Sequence, residues 1–209
     1  MTKHNMNHGL ARQLGYTIDQ TILIVAVIAI LVTMIIGSVG WDLLSRAGGT
    51  KLQSHLVQME NAAGSFFSQY GLWPTDVTDG GGDAIMALIN KDKTTWKDFD
   101  PKGNFRNYLP NYEPGSGSVV QHPFGSGGKV TLTEESYGSG QTFLVFKLEN
   151  VPSREYLSAE ESIDGDTSAG FQDNGRLRTA PAGGGDTAQD PSADGVDNVT
   201  LEYYANVVY

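Results

Sequence analysis

Cysteine is absent from the 209 residues of the chain. No disulfide can therefore brace the fold, and no thiolate can serve as a nucleophile or a metal ligand. Basic residues are scarce as well, with 14 Lys and Arg against 24 Asp and Glu and a formal net charge of −10. Such an acidic chain is poorly suited to nonspecific binding of nucleic acid through its phosphates.

The sequence also lacks the usual catalytic motifs. It contains no Gly-x-Ser-x-Gly elbow, no phosphate-binding loop and no dinucleotide fingerprint. Of the four histidines, only His4 and His8 have the spacing of a ligand pair, while His55 and His122 stand far apart in the chain. These absences predict that the protein is not an enzyme.

A long apolar run near the N-terminus is the most informative feature that is present. Residues 22–36 are apolar apart from Thr33. The 21 residues from Tyr16 to Ile36 would form a helix of roughly 30 Å, the thickness of a bilayer's hydrocarbon core. Because the run is apolar on every side, it needs an apolar environment all round, either lipid or a bundle of identical helices.

The residues around this run distinguish between kinds of targeting segment. A cleaved secretory signal has a small-residue cleavage site after its apolar region, and residues 37–41 match such a site poorly. The small residue Gly15 stands before the run instead, after a leader that contains Lys3 and Arg12. A plain signal anchor and a cleaved secretory signal stay open as alternatives.

The order Gly15-Tyr16-Thr17-Ile18-Asp19-Gln20 before the apolar run resembles the prepilin signal of type IV pilins and type II secretion pseudopilins. The resemblance implies cleavage after Gly15 by a prepilin peptidase, N-methylation of Tyr16 and retention of the apolar helix. The family usually has Glu as the fifth mature residue, where this chain has Gln20. Asp19 is the expected substitute in subunit assembly; alternatively, the chain is a minor subunit of the kind that lacks the glutamate.

Glycines follow the apolar run at positions 37 and 40 and again at 48 and 49. Each glycine costs a helix interior about 1 kcal/mol relative to Ala. We therefore predict a helix break at Gly37 and Gly40, and a second weak point at Gly48-Gly49 with Thr50 capping a resumed helix. The alternative is that these glycines permit close packing of helices.

Residues 51–70 have the pattern of an amphipathic helix. Their apolar residues recur at spacings of four, three, four, three and four, namely Leu52, Leu56, Met59, Ala63, Phe66 and Tyr70. Such a stripe predicts packing against a sheet, and Gly71 with Trp73-Pro74 predicts the end of the helix. Residues 71–74 also resemble the turn after the long helix in pilins and pseudopilins.

The rest of the chain predicts a small sheet with short helices. Residues 84–90 are predicted as a short helix, and residues 91–117 as an irregular connection. A hairpin is predicted over residues 130–148. Apolar and polar residues alternate in 130–133, residues 142–148 are rich in β-branched and aromatic residues, and Gly138-Ser139-Gly140 lies between the two segments. The Tyr- and Val-rich residues 199–209 are predicted to form a terminal strand paired within the sheet.

Two further segments resemble type IVb pilins in particular. His122-Pro123-Phe124-Gly125 is similar to the residues that lead into the first strand of that subgroup, and Val151-Pro152-Ser153 is similar to the opening of its next helix, here predicted over 153–160. In that subgroup a cysteine normally follows, but this chain has residues 154–157 as Arg-Glu-Tyr-Leu. The loop that the family disulfide closes must therefore be held in another way.

Residues 162–198 are acidic, rich in glycine and poor in aliphatic residues. Asp164-Gly165-Asp166 begins like a calcium loop, but Ala169 and Gly175 stand where the turn glycine and the bidentate glutamate are required. A second calcium site is conceivable from a looser acidic set, and the favoured alternative is a solvated loop with no bound cofactor. The candidate ligands in this set are Asp186, Asp190, Asp194 and Asp197.

Together these features predict an α+β protein with the pilin fold, in which a long N-terminal helix packs on a small antiparallel sheet. The predicted parts are a cleaved leader over 1–15, a hydrophobic helix over 16–50 and a globular head over 51–209. The helix is expected to span the inner (cytoplasmic) membrane before assembly and to form a filament core afterwards.

The resemblance implies a structural subunit of an extracellular type IVb-like pilus, used for attachment, aggregation, motility or conjugative contact. Its implied partners are further copies of the chain, the prepilin peptidase, and an inner-membrane assembly platform with its ATPase. The alternative function is that of a pseudopilin or minor pilin in a type II secretion or related machine.

The first prediction concerns processing. If Gly15 precedes the cleavage site, the exported protein begins at Tyr16 and carries a methyl group on its amine. Mass spectrometry of N-terminal peptides of the exported protein tests this. An N-terminus at Met1, or one after Ile36, would contradict it.

Overall fold

The computed structural model describes residues 18–78, 84–89, 106–112, 120–137, 140–165, 170–181 and 187–208. The chain divides into two compact units, with the boundary between Leu44 and Ser45. The predicted cleavage and methylation residues Gly15 and Tyr16 lie outside the described residues, as do Asp186 and most of the connection predicted over 91–117.

The first helix, α1, covers Ile18–Tyr70, a length of 53 residues. It continues through Gly37 and Gly40, so the helix break predicted there is not present. A Cβ atom added at either glycine would meet no other atom within 4 Å. The penalty of about 1 kcal/mol for each glycine is too small to interrupt a helix that continues for many residues on both sides.

Gly48 and Gly49 have a different role, because they lie against the helix α3, Ser153–Ile163. A Cβ atom on Gly48 would stand 2.8 Å from Cγ of Glu155, and one on Gly49 would collide with the side chain of Ser158. The glycines therefore allow α1 and α3 to approach closely. The predicted weak point at Gly48-Gly49, with Thr50 capping a resumed helix, is wrong, because α1 continues through these residues. The alternative of close helix packing is confirmed at this pair.

A five-stranded antiparallel sheet forms the other layer of the second unit, with the strand order β1-β2-β3-β5-β4. The strands are β1 Val120–His122, β2 Gly128–Tyr137, β3 Gln141–Pro152, β4 Leu177–Thr179 and β5 Asn198–Val207, and the short helix α2 covers Met86–Ile89. The hairpin of β2 and β3 confirms the sequence prediction, and so do the short helix near 84–90 and the helix α3 that opens at Ser153.

The apolar stripe of α1 is buried as predicted. Leu52, Leu56, Met59, Ala63 and Phe66 are all 0% exposed. They share one hydrophobic cluster with residues from the sheet, among them Leu132, Phe146, Leu148, Leu201 and Tyr203. The packing of the stripe on the sheet is thus confirmed. The regular spacing of apolar residues over 51–70 reflects the one face of α1 that contacts the sheet.

The C-terminal strand β5 is an interior strand, paired with β3 on one side and β4 on the other. Leu201 and Tyr203 on β5 are buried against α1 and the rest of the core. The prediction that this strand is paired within the sheet is confirmed. The strands β1 and β4 were not predicted, and they have only three residues each.

Asp164, at the C-terminus of α3, closes the loop that leads to β4. One oxygen of its carboxylate accepts hydrogen bonds from the backbone N–H groups of Arg176 and Leu177, both at 2.8 Å. Gly175 has a φ of +80° and lies so close to this carboxylate that a Cβ there would overlap it. A carboxylate with two backbone donors is a strong, non-covalent closure of a loop. The sequence suggested Asp164 as the start of a calcium loop and did not indicate this role.

Replacing Leu56 by Ala tests the packing of α1 on the sheet. Because Leu56 is 0% exposed, Leu56→Ala should reduce the free energy of unfolding by about 2–5 kcal/mol. Val57 is 42% exposed, so Val57→Ala should change it by only about 0.5 kcal/mol or less. Thermal unfolding of the full chain in detergent micelles, followed by near-ultraviolet circular dichroism, provides the comparison. Equal melting temperatures for the two variants would contradict the packing described here.

The closure by Asp164 is tested by Asp164→Ala. The substitution leaves two backbone N–H groups without their acceptor and should cost about 1–2 kcal/mol of folding stability. Asp173 is exposed and lies in the same loop, so Asp173→Ala is a matched control with little expected effect. The same unfolding measurement applies, and a loss of stability in Asp173→Ala as large as that in Asp164→Ala would show that the two backbone hydrogen bonds are not the cause.

Candidate functional site

The most prominent surface feature is the apolar start of α1, residues 18–37. This segment of 20 residues is long and apolar enough to cross a membrane, and none of it is buried within the chain. Its exposed fractions include 78% for Ile18, 53% for Ile28 and 68% for Met34. A soluble monomer rarely exposes so large a continuous apolar surface, which marks contact with lipid or with other protein.

Thr33, the polar residue in the middle of this segment, is compatible with an apolar environment. The hydroxyl of Thr33 donates a hydrogen bond of 2.7 Å to the carbonyl oxygen of Ala29, so it is satisfied within the helix. The backbone is helical throughout, which pairs its N–H and C=O groups internally. Asp19 is the single charged residue among positions 18–37.

Asp19 and Gln20, the residues predicted for subunit assembly, lie in the first turn of α1. Both are exposed. A carboxylate at this end of a helix is favoured by the partial positive charge of the helix N-terminus. Among residues 18–78, no hydrogen bond or ion pair engages either side chain.

The candidate calcium ligands in the described part of the chain are not gathered around one point. Asp190 instead accepts hydrogen bonds from the backbone N–H and the hydroxyl of Ser192, at 2.8 Å and 2.6 Å, and these bonds lower the pKa of its carboxyl group. Asp194 and Asp197 are exposed. Among the described residues, no group of three or more His, Cys, Asp or Glu could hold a metal ion.

A charged network that the sequence did not predict joins three elements of the head. Nη2 of Arg176 lies 2.7 Å from both Oε1 of Glu60 on α1 and the hydroxyl of Tyr203 on β5. The Tyr203 hydroxyl in turn donates to Oε2 of Glu60 at 2.7 Å. Burial raises the pKa of Tyr203, and the neighbouring carboxylate of Glu60 raises it further. The network therefore keeps Tyr203 protonated and ties the C-terminal strand to α1.

A second network crosses the outer face of the sheet. Nζ of Lys147 on β3 lies 2.9 Å from Oε1 of Glu202 on β5 and also pairs with Glu135 on β2. Burial acts to lower the pKa of Lys147, but its two carboxylate partners outweigh that effect and raise it. Burial together with Glu135 and Glu202 raises the pKa of Tyr204 to about 12. The raised pKa values of Lys147 and Tyr204 keep both groups protonated at neutral pH, so the network joins β2, β3 and β5 through an ion pair and a hydrogen bond.

Two histidines lie where α1 meets β1. Phe124 N–H donates to Nδ1 of His122 at 3.2 Å, and His122 Nε2 donates to the Glu149 carbonyl at 2.5 Å, so His122 is held as the neutral tautomer. The ring of His55 packs against Tyr112 and Phe124. Burial, with smaller contributions from His122 and Lys51, lowers the pKa of His55 to about 4.

Comparison with family models, with curated proteins and with solved structures finds no match to this chain. The candidate site therefore rests on the chain's own residues, of which the exposed apolar segment of α1 is the strongest. Within the described residues, Glu60, Arg176 and Lys147 take part in ion pairs, and Asp164 takes part in loop closure.

The neutral histidines predict a dependence of stability on pH. His55 has a pKa near 4 when folded and about 6.5 when unfolded, so its contribution is complete above pH 6.5 and is lost as the pH falls from 6.5 towards 4. In His55→Phe this loss should be smaller, because no proton is taken up at that position. Melting temperatures of the full chain in micelles at pH 7 and pH 4.5 test this, and an equal decrease in both proteins would contradict it.

Proposed function

We propose that the chain is a structural subunit of an extracellular type IVb-like pilus, which polymerises through the apolar segment of α1. The observation that supports this most is that α1 contains two different apolar surfaces. Residues 18–37 are exposed on all sides, while the stripe from Leu52 to Phe66 is buried in the head. One helix thus provides a segment for assembly and a segment that holds the head.

Copies of the same helix are the occupant that we propose for the apolar surface once the subunit leaves the membrane. Each buried Ile, Leu or Val side chain contributes about 1.5–3 kcal/mol, and the segment contains a dozen aliphatic residues or so. Exposing that surface to water is therefore prohibitive. Lipid covers it in the precursor, and neighbouring helices cover it in a filament.

Asp19 has a specific role in this proposal. The resemblance to prepilins implies that a free, methylated amine at Tyr16 enters the filament core, where an unpaired ammonium group is costly. A carboxylate of a neighbouring subunit can compensate that charge, and Asp19 is the one carboxylate of residues 18–37. Its position one residue before the usual glutamate turns the side chain by about 100° around the helix axis, so the neighbouring chains must pair in a different register.

In this proposal the chain passes from the inner membrane to the cell surface with the help of several partner proteins. The precursor resides in the inner (cytoplasmic) membrane, a prepilin peptidase removes residues 1–15, and an assembly platform with its ATPase extrudes the subunit into the filament. The filament then stands on the cell surface, where the head makes contact with surfaces or other cells. No catalytic activity is part of this role.

A pseudopilin or minor pilin is the second candidate function, and it is favoured by one observation. Gln20 stands at the fifth mature position, and some minor subunits lack the glutamate of that position. In this role the chain would form a short assembly for secretion, or would cap a fibre made largely of another protein.

Filaments sheared from cells that produce the chain test the proposal. Electron microscopy with quantitative mass spectrometry should show filaments in which this chain is the predominant protein. A chain present as a small minority of another protein's fibre would favour the second candidate, and a chain that stays in the membrane fraction would contradict both.

Substitution at Asp19 sharpens that experiment. Asp19→Ala should reduce the yield of sheared filaments by tenfold or so, because the charge of the neighbouring amine is then unpaired, while the membrane precursor is still cleaved. Thr21→Ala, at an exposed and uncharged residue of the same helix turn, is the matched control and should preserve filaments. Normal filament yield from Asp19→Ala would remove Asp19 from the proposed role.

A further inference from the structure

The exposed face of α1 over residues 58–69 has an unusual composition for a helix surface. Its exposed polar residues are uncharged amides and hydroxyls, among them Gln58, Asn61, Ser65 and Ser68. Asn, Ser and Gly are weaker helix formers than the Ala, Glu or Lys that commonly occupy such positions. At Gly64 an added Cβ would meet nothing within 4 Å, so packing does not require the glycine. A face that gives up helix stability in this way indicates a role other than folding.

Segment 106–112 runs alongside this face and forms the opposite wall of a groove. Tyr108 N–H donates to the carbonyl oxygen of Leu88 at 2.9 Å, and Tyr112 N–H donates to that of Leu109 at 3.0 Å. Leu109 and Tyr112 are only 3% and 4% exposed, so they anchor the segment in the core. The wall is thus fixed by the fold of the head.

The groove has a volume of about 350 Å³, at the small end of the range for ligand sites, about 300–1,000 Å³. Gln58, Asn61 and Ser65 line one side, and Tyr108, Pro110 and Asn111 line the other. Asn61 and Ser65 also line an adjoining, shallower depression, whose far side includes Asn206. The two hollows therefore form one continuous surface along α1.

We propose that this groove binds an uncharged hexose glycan. Amide and hydroxyl side chains donate and accept hydrogen bonds, as the hydroxyl groups of a sugar require. The ring of Tyr108 and the side chain of Pro110 offer apolar surface for the C–H face of a pyranose. The inference goes beyond the proposed filament role, because the described lining residues all belong to one copy.

Other ligand classes fit these residues less well. An anion would meet the carboxylate of Glu60 as well as the cation Arg106 in the depression, and no three-ligand metal cluster occurs among the described residues. A second copy of the chain would require an apolar centre to its interface, whereas α1 contributes mainly amides and hydroxyls here.

Binding is tested with the full chain in micelles of dodecylphosphocholine, a detergent without a sugar headgroup. The probes are methyl glycosides of glucose, galactose, mannose and N-acetylglucosamine, titrated up to 50 mM or so by saturation-transfer NMR and calorimetry. At least one should bind saturably. The double variant Asn61→Ala/Ser65→Ala should weaken that binding by about tenfold or more, with an unchanged or raised melting temperature because Ala is the better helix former.

Ser54→Ala is the matched control, since Ser54 is an exposed serine of α1 that does not line the groove. It should leave binding unchanged. The proposal is overturned if no glycoside of the panel saturates, or if the double variant binds as the parent does. It is equally overturned if the double variant changes the oligomeric size in micelles without a saturable glycoside signal, because a second copy is then the occupant. Loss of filaments in cells has no bearing on these outcomes, so failure of this proposal is distinct from failure of the filament proposal.

Discussion

Water cannot cover the apolar start of α1 without a large free-energy cost. The two halves of this helix meet that constraint in different ways. Residues 18–37 are exposed on every side within a single chain, so another apolar phase must surround them. The second half of the same helix solves the problem locally, because its stripe from Leu52 to Phe66 is covered by the sheet. The stripe is thus covered within one copy, whereas the described residues provide no cover for the apolar segment.

The head maintains its C-terminal region without a covalent link. Asp164 closes one loop through two backbone hydrogen bonds, and the contacts among Glu60, Arg176 and Tyr203 join the last strand to α1. Arg176 takes part in both, since its backbone N–H binds Asp164 and its guanidinium binds Glu60. Together with the burial of β5 in the middle of the sheet, these interactions hold the C-terminal region in a chain that has no cysteine.

Periodic features could be predicted from the sequence, and non-local ones could not. The stripe of α1, the hairpin of β2 and β3 and the terminal strand each have a local pattern that reports the buried face. The three-residue strands β1 and β4 are too short to show a period. The break expected at Gly37 and Gly40 fails because propensity is only a weak guide inside a long helix. The pair Glu60–Arg176 spans 116 positions, and no spacing rule predicts such a contact.

The candidate site also has parts that the sequence predicts and parts that it does not. The apolar segment and its single carboxylate, Asp19, are visible in the sequence because composition alone defines them. The sequence left open whether the acidic loop binds calcium, and the hydrogen bonds from Ser192 to Asp190 give one of its carboxylates a local structural role.

The proposed assembly through α1 is tested most directly by cryo-electron microscopy of lipid-free surface filaments that contain this chain. If the subunits assemble through the apolar segment of α1, residues 18–36 of adjacent copies should contact each other in the filament core. A filament in which these residues lie on the outside, or in which they do not contact other copies, would contradict it.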